Sequence, residues 1–220
     1  MNSTIAFNRL PGGSRLFLDY LYDPRHVGAF FPWPFRSGRE FDSCSRLLDG
    51  QTYNRSTLIE ILRRQNTDFG VDPAVLANIE RLHDARTLVV CTGQQVGLYG
   101  GSMYTVYKAL GAIGHARRLA EKLQRPVVSV FWLAADDHDF AEVRWTACPT
   151  SDNHVQRVMY EPAIEPERIP TAQIILDENI KNVHATVQGL RLATEFSADV
   201  DTALDECYRP GVSLATAFGR

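Results

Sequence analysis

The spacing of apolar residues changes along the chain, and each change of period predicts an element. Between residues 46 and 84 the repeat is helical. Leu58, Ile61 and Leu62 recur on a first helix, and Val75, Leu76, Ile79 and Leu82 on a second. Pro73 falls in the first turn of the second helix, where its missing N–H costs nothing, and Asp72 is the expected N-cap. Arg86-Thr-Leu-Val-Val-Cys91 is a short β-branched run, read as a strand buried on both faces. Helical spacing returns over Ser102–Leu123, with an apolar stripe of Met103, Val106, Tyr107, Leu110, Ile113 and Ala120; Arg117, Arg118, Glu121 and Lys122 lie mainly off it. After the break at Pro126, Val127–Leu133 is a second apolar run. Strand, helix, strand at this spacing predicts a parallel βαβ unit with a right-handed crossover.

The flanks are less regular. Residues 1 to 45 read as irregular apart from a turn at Pro11-Gly-Gly13 and a short helix over Arg15–Tyr22. Phe30-Phe-Pro-Trp-Pro-Phe35 excludes regular structure and is expected to pack as a latch, the alternative being a stacking platform for a base. Pro149, Pro162, Pro166 and Pro170, with the alternating segment Val155–Tyr160, predict an extended or hairpin-like insertion. A helix is expected over Asn182–Phe196, and another begins at Val212–Phe218 and stops at Arg220 without a cap. The expected organisation is a latch and helices in 1–85, an α/β core in 86–145, and a connecting insertion with the start of a helical region in 146–220. One parallel strand pair is a poor independent core. Either further strands lie in segments without a clear pattern, or the chain is part of a larger protein.

Composition narrows the classes. A chain of 220 residues can bury one sizeable core with a smaller appendage, and 22% charged with 45% hydrophobic residues excludes disordered and fibrous classes. A net charge of -3 without a basic block argues against nucleic acid as a partner. Cys44, Cys91, Cys148 and Cys207 form no C-x-x-C pair, so they fit neither a zinc knuckle nor a disulfide scaffold and are expected to be reduced thiols. The first residues lack a signal-peptide core, and no apolar stretch reaches the roughly 18 residues of a membrane span. A cytoplasmic protein with no membrane partner is expected.

The chemistry concentrates in two segments at the carboxyl ends of the predicted strands, where open parallel sheets bind ligands. Thr92–Gly101 carries Gly93, Gly97, Gly100 and Gly101, which allow close backbone approach to an anion, ahead of a helix N-terminus. Thr92, Gln94 and Gln95 add polar groups, and Lys108 on the second turn of the helix could reach a phosphate or carboxylate. The segment is neither a P-loop nor a G-x-G-x-x-G fingerprint, and a tight packing turn is the alternative. Asp136, Asp137, His138 and Asp139 follow between Trp132 and Phe140. Crowded carboxylates are costly unless paired or used. Three readings stand: a divalent-metal site, a proton-transfer cluster orienting an amine or hydroxyl substrate, or a solvated acidic loop. His26, His83, His115, His154 and His184 stand alone and read as structural or exposed.

Two long matches then carry a resemblance. Thr92-Gly-Gln-Gln-Val-Gly-Leu-Tyr-Gly-Gly-Ser-Met-Tyr-Thr-Val-Tyr-Lys-Ala109 and Phe131-Trp-Leu-Ala-Ala-Asp-Asp-His-Asp-Phe-Ala-Glu-Val143 resemble the paired motifs of the bacillithiol biosynthesis cysteine-adding enzyme family. Gly-Ser-Met at 101–103 replaces the usual Gly-Pro-Leu, and Asp136 the usual Glu; both keep the chemistry. Leu18-Asp-Tyr20 and the helix with Arg55, Leu58 and Leu62 extend the resemblance towards the N-terminus. It implies a Rossmann-like core, related to class I aminoacyl-tRNA synthetases and nucleotidyltransferases, with a helical N-terminal region and a connecting insertion. It also implies a ligase that condenses L-cysteine with the amino group of glucosaminyl malate, through cysteine activated by ATP or another nucleotide. On that reading Thr92, Gly93, Gln94, Gln95, Gly97, Gly101, Tyr104, Lys108, Trp132 and Asp136 bind substrate or nucleotide. His138, Asp137 and Asp139 are the catalytic set, with His138 the proton carrier and no resident metal. The resemblance also implies a longer full-length protein with a coiled-coil segment for homodimerisation, of which this chain corresponds to an N-terminal part. The alternatives are a metal-dependent hydrolase or nucleotidyltransferase built on the Asp/His segment, and a non-catalytic truncated fragment.

Overall fold

The computed structural model describes residues 4–31 and 40–220. Chain contacts divide it into two compact units, Met1–Tyr53 and Asn54–Arg220. In the first unit the turn at Pro11 and Gly12 leads into α1 (Arg15–Tyr22), which forms where expected because the Ser14 side chain accepts the Phe17 N–H at 3.2 Å. Tyr22 turns its hydroxyl back to accept the Phe7 N–H at 2.8 Å. Helix α2 spans Glu40–Asp49, earlier than the irregular stretch to residue 45 predicts. Of the proposed latch, Phe31 packs on Tyr20 at 4.9 Å between ring centroids, Phe30 is exposed, and residues 32–35 lie outside the described residues.

The second unit opens with α3 (Arg55–Phe69), closed by Gly70 in the left-handed region, and α4 (Pro73–Glu80). Pro73 and Asp72 take the predicted positions, with Asp72 Oδ1 accepting the Ala74 N–H at 2.7 Å. The apolar face of α3 is rotated from the predicted one. Ile59 is buried, whereas Leu58 and Ile61 are exposed, because the cluster that α3 joins comprises Ile59, Leu62, Leu76, Ile79, Leu82 and Val128.

Strand β1 (Leu88–Gln95) pairs in parallel with β2 (Val127–Ala134), in register from Leu88↔Val127 to Gln95↔Ala134, with α5 (Met103–Leu123) between them in sequence. The βαβ unit is as the periodicity predicts, with two corrections. First, Thr92–Gln95 is strand rather than loop, and β1 is not buried on both faces. Val89, Cys91 and Trp132 share one side of the paired strands and are exposed. Second, the large apolar stripe of α5 points outward. Met103, Val106, Tyr107, Leu110 and Ile113 are exposed, while Thr105, Ala112, Ala116 and Leu119 are buried. Small side chains let the helix approach the strands closely, so the face that packs is not the face with the larger residues.

After α6 (Phe140–Val143), β3 (Trp145–Pro149) and β4 (Val155–Met159) form the expected hairpin, antiparallel from Trp145↔Met159 to Pro149↔Val155. The helix expected over Asn182–Phe196 is α7 (Ile180–Leu190), which ends six residues early, and a separate α8 (Ser197–Cys207) starts beyond the expected range. The chain leaves helical geometry at Arg191 (φ −69°, ψ 154°), and the Thr194 N–H turns onto Ser197 Oγ at 2.9 Å. Helix α9 (Leu214–Gly219) follows, capped by Ser213. The larger core lies beyond the strand ends, not between α5 and the strands. There Val96, Leu98, Phe140, Tyr160, Ile180 and Leu214 meet. The Thr171 and Ala172 N–H groups donate to the carbonyls of Asp137 and Ala135 at 2.8 and 2.9 Å. The segment leaving β2 is thereby fixed by residues far downstream. No helix among the described residues is long and apolar enough to cross a membrane.

Candidate functional site

Gln94 and Gln95 are consecutive in β1, so their side chains leave opposite faces of the strand. Each organises its own cluster. On one side Lys108, from the second turn of α5, donates to Gln94 Oε1 at 2.7 Å and to the Gly93 carbonyl at 3.1 Å. Its ammonium also lies 4.9 Å from the centroid of the Tyr104 ring. Lys108 is therefore held at the carboxyl end of β1 and is not a free surface lysine.

On the other side Gln95 Nε2 donates to Asp137 Oδ2 in a short contact and to Glu142 Oε2 at 3.4 Å. Asp137 Oδ1 accepts the N–H groups of His138 at 2.7 Å and Asp139 at 3.3 Å. The Gln95 amide first, then the two N–H groups, hold this carboxyl below the usual carboxylate range. Asp137 is an acceptor here and a poor proton carrier. His138 stands at the rim, its Nδ1 3.9 Å from Asp137 Oδ1. Asp139 Oδ1 accepts the Glu142 N–H at 3.1 Å and so caps α6. Asp136 is exposed. The expected crowd of three carboxylates is thus dispersed into separate local roles. Among the described residues no group of three or more His, Cys, Asp or Glu could hold a metal ion, so the donor set for the metal-dependent alternative is not assembled.

Gly93 and the loop beyond β1 need glycine for steric reasons. A Cβ on Gly93 would lie 2.7 Å from the Trp132 carbonyl oxygen, and one on Gly97 3.1 Å from Gly101 Cα. Gly101, at φ 68° and ψ −140°, is in a region that side chains exclude. Ser102 is the N-cap residue of α5 but makes no side-chain cap bond. The buried Thr105 hydroxyl, one turn into the helix, has no hydrogen-bond partner among the described residues, and a Cβ on Gly101 would lie 3.9 Å from it. Thr92 is half-buried in β1, and Trp132 is 63% exposed on β2 opposite Gly93.

Residue reading missed Glu142, which stands in the second motif but shows its role only when Gln95 reaches it. It also missed Tyr99 and Tyr208, which meet at the glycine loop. His184 does not stand alone: Tyr99, the Tyr208 carbonyl and Asp205 all lie on it.

Residues 2–220 match the family described as "Bacillithiol biosynthesis BshC, N-terminal Rossmann-like domain". The chain belongs to this family. Its fold is the Rossmann-like α/β class that the paired motifs imply. Similar BshC proteins carry the name "Putative cysteine ligase BshC". That of Solibacter usitatus is 35% identical over 211 residues, covering 95% of this chain and 37% of the relative. Those of Salinibacter ruber and Koribacter versatilis are 31% and 34% identical, over 93% and 98% of this chain and 37% and 39% of the relatives. The chain spans between a third and two-fifths of the length of these BshC relatives, and both quoted motifs lie within the matched residues.

Proposed function

We propose that this chain carries the strand-end part of a site that joins L-cysteine to the amino group of glucosaminyl malate, as the bacillithiol branch of its family name suggests. The observation that carries the reading is a fixed cation and a fixed anion at one strand end: Lys108 held through Gln94, and Asp137 held through Gln95. Amide formation between a carboxylic acid and an amine needs an activated carboxyl, a deprotonated amine and a stabilised leaving group. Lys108 and the loop Gly97–Gly101 suit the anionic leaving group of a nucleotide-activated cysteine, and the unpartnered Thr105 hydroxyl is a further donor beneath that loop. Asp137, a carboxylate over the working pH range, suits the ammonium form of the acceptor. His138 at the rim takes its proton before the nitrogen attacks the cysteine carbonyl and the nucleotide leaves.

The test replaces the matching N-terminal part of the Solibacter usitatus relative with this chain. Product is then sought by mass spectrometry with L-cysteine, glucosaminyl malate and a panel of nucleotides. A cysteinyl amide that forms with one nucleotide, and drops about a hundredfold or more in Lys108→Met, supports the reading, since electrostatic stabilisation of a leaving group is a large contribution. Full activity in both Lys108→Met and Asp137→Asn would sink it.

A further inference from the structure

The loop that leaves β1 has a conformation its own residues do not favour. Tyr99, Gly100 and Gly101 follow one another at φ 54°, 81° and 68°. Two are glycines, but Tyr99 is not, and a side chain in the left-handed region persists only where its surroundings over-determine it. Those surroundings come from α7 and from the end of α8. The Tyr99 ring stacks on His184 at 5.3 Å and meets the edge of Tyr208 at 5.1 Å. His184 Nε2 lies 2.7 Å from the Tyr208 carbonyl, which only accepts, so Nε2 carries a proton, and Nδ1 lies 2.5 Å from the Tyr99 hydroxyl and 3.4 Å from Asp205 Oδ1. The buried Tyr208 hydroxyl in turn donates to the Gly97 carbonyl and accepts the Gly100 N–H, both at 3.0 Å. One phenol thus bridges the loop from Gly97 to Gly100, as a backbone turn bond would. Burial pushes both phenols well above their usual range, so both stay protonated as these bonds need.

We infer that Tyr208 is a positioning residue for the glycine-loop site, with Tyr99 and His184 as the second arm of the same clamp. The inference rests on the proposed ligand role of Gly97–Gly101. Tyr208 touches no ligand; it sets the direction in which the loop presents its backbone N–H groups.

Tyr208→Phe keeps the ring and removes both bonds, and Tyr99→Phe removes only the bond to His184. Amide hydrogen exchange at Gly100 should accelerate about tenfold in Tyr208→Phe, the effect of one or two lost hydrogen bonds, and less in Tyr99→Phe. In titrations of the full chain with ATP and with inorganic pyrophosphate, Kd should rise by a similar factor in Tyr208→Phe. In the chimeric enzyme KM for the nucleotide should rise with kcat within about twofold, a split that loss of stability alone does not produce. Unchanged exchange at Gly100, or faster exchange with unaltered Kd and KM, overturns the inference. A wild-type chain that binds neither probe overturns the ligand role of the loop as well. Binding by wild-type that Tyr208→Phe leaves intact counts against the clamp alone.

Discussion

At the scale of single residues, the Tyr160–Asp177 pair is a densely bonded polar device outside the candidate site. Asp177 accepts the Tyr160 hydroxyl at 3.0 Å and the N–H groups of Ala163 and Asn179 at 2.6 and 2.9 Å, while its own N–H donates to Tyr160 Oη at 2.9 Å. Burial acts to raise the Asp177 pKa, but these donors outweigh it and the carboxyl lies below its usual range. Burial pushes the Tyr160 phenol up from 10.0 to about 12. A raised folded-state pKa means stability that is complete below pH 10.0 and is lost as pH rises towards about 12. The alkaline limb of a stability curve should therefore weaken over that window, with Tyr160 phenolate absorbance appearing together with unfolding. Tyr160→Phe should flatten that limb, because no ionisable hydroxyl remains there. At neutral pH the same substitution should cost about 1–3 kcal/mol in denaturant titration, since it leaves Asp177 N–H without its acceptor. Asp137 has the opposite sign. Its lowered pKa contributes stability above the usual carboxylate value that is lost as pH falls through the folded value. Gln95→Leu removes the largest cause of that shift, so the Asp137 carboxyl carbon should titrate at a higher pH by NMR; an unmoved midpoint would show that the backbone donors suffice.

At the scale of elements, the chain's glycines separate into those that permit contact and those that do not. A side chain at Gly93 meets the backbone of the neighbouring strand, which cannot yield as a flexible side chain would. Gly93→Val should force β1 and β2 apart at their carboxyl ends and cost about 1–3 kcal/mol, the range of overpacking. A Cβ on Gly111, within α5, would meet nothing within 4 Å. Gly111→Ala should stabilise by about 0.5–1 kcal/mol, because alanine is the better helix former. Thermal melts of the pair should move in opposite directions; movement in the same direction would refute the close-approach account of Gly93. These elements also show what a sequence can reveal. Asp72-Pro73, the short helix from Arg15 and the βαβ spacing were legible because caps and periods are local. The buried face of α5 was not, because five large apolar residues outvote one threonine, two alanines and one leucine in any periodicity count. Only the neighbouring strands decide which face comes close. Tyr208 was illegible for a different reason: its partners Gly97 and Gly100 lie more than a hundred residues away. The site residues divide likewise. The motifs brought Gln94, Gln95, Lys108 and Asp137 to one strand end, but not the strand alternation that sends the two glutamines to opposite faces.

At the scale of the molecule, the α/β layer is covered unevenly. Unit Asn54–Arg220 packs its main core beyond the strand ends, and the outer face of α5 is left with Tyr107 and Leu110 at 68% and 60% exposure beside Met103, Val106 and Ile113. Scattered exposed apolar residues are ordinary, but a contiguous stripe on one helix face is the kind of patch that drives association. The chain on its own should therefore bind a hydrophobic dye and show concentration-dependent mass in sedimentation. Tyr107→Lys with Leu110→Glu places a spaced charge pair on that stripe without touching Thr105, Ala112, Ala116 or Leu119, the residues that pack. Association and dye binding should fall while the melting temperature moves by no more than the shift from a few tenths of a kcal/mol, as for other exposed helix positions. If the double variant associates as wild-type does, the stripe is not the contact. If it unfolds instead, the face is part of the folded core and its exposure has another cause.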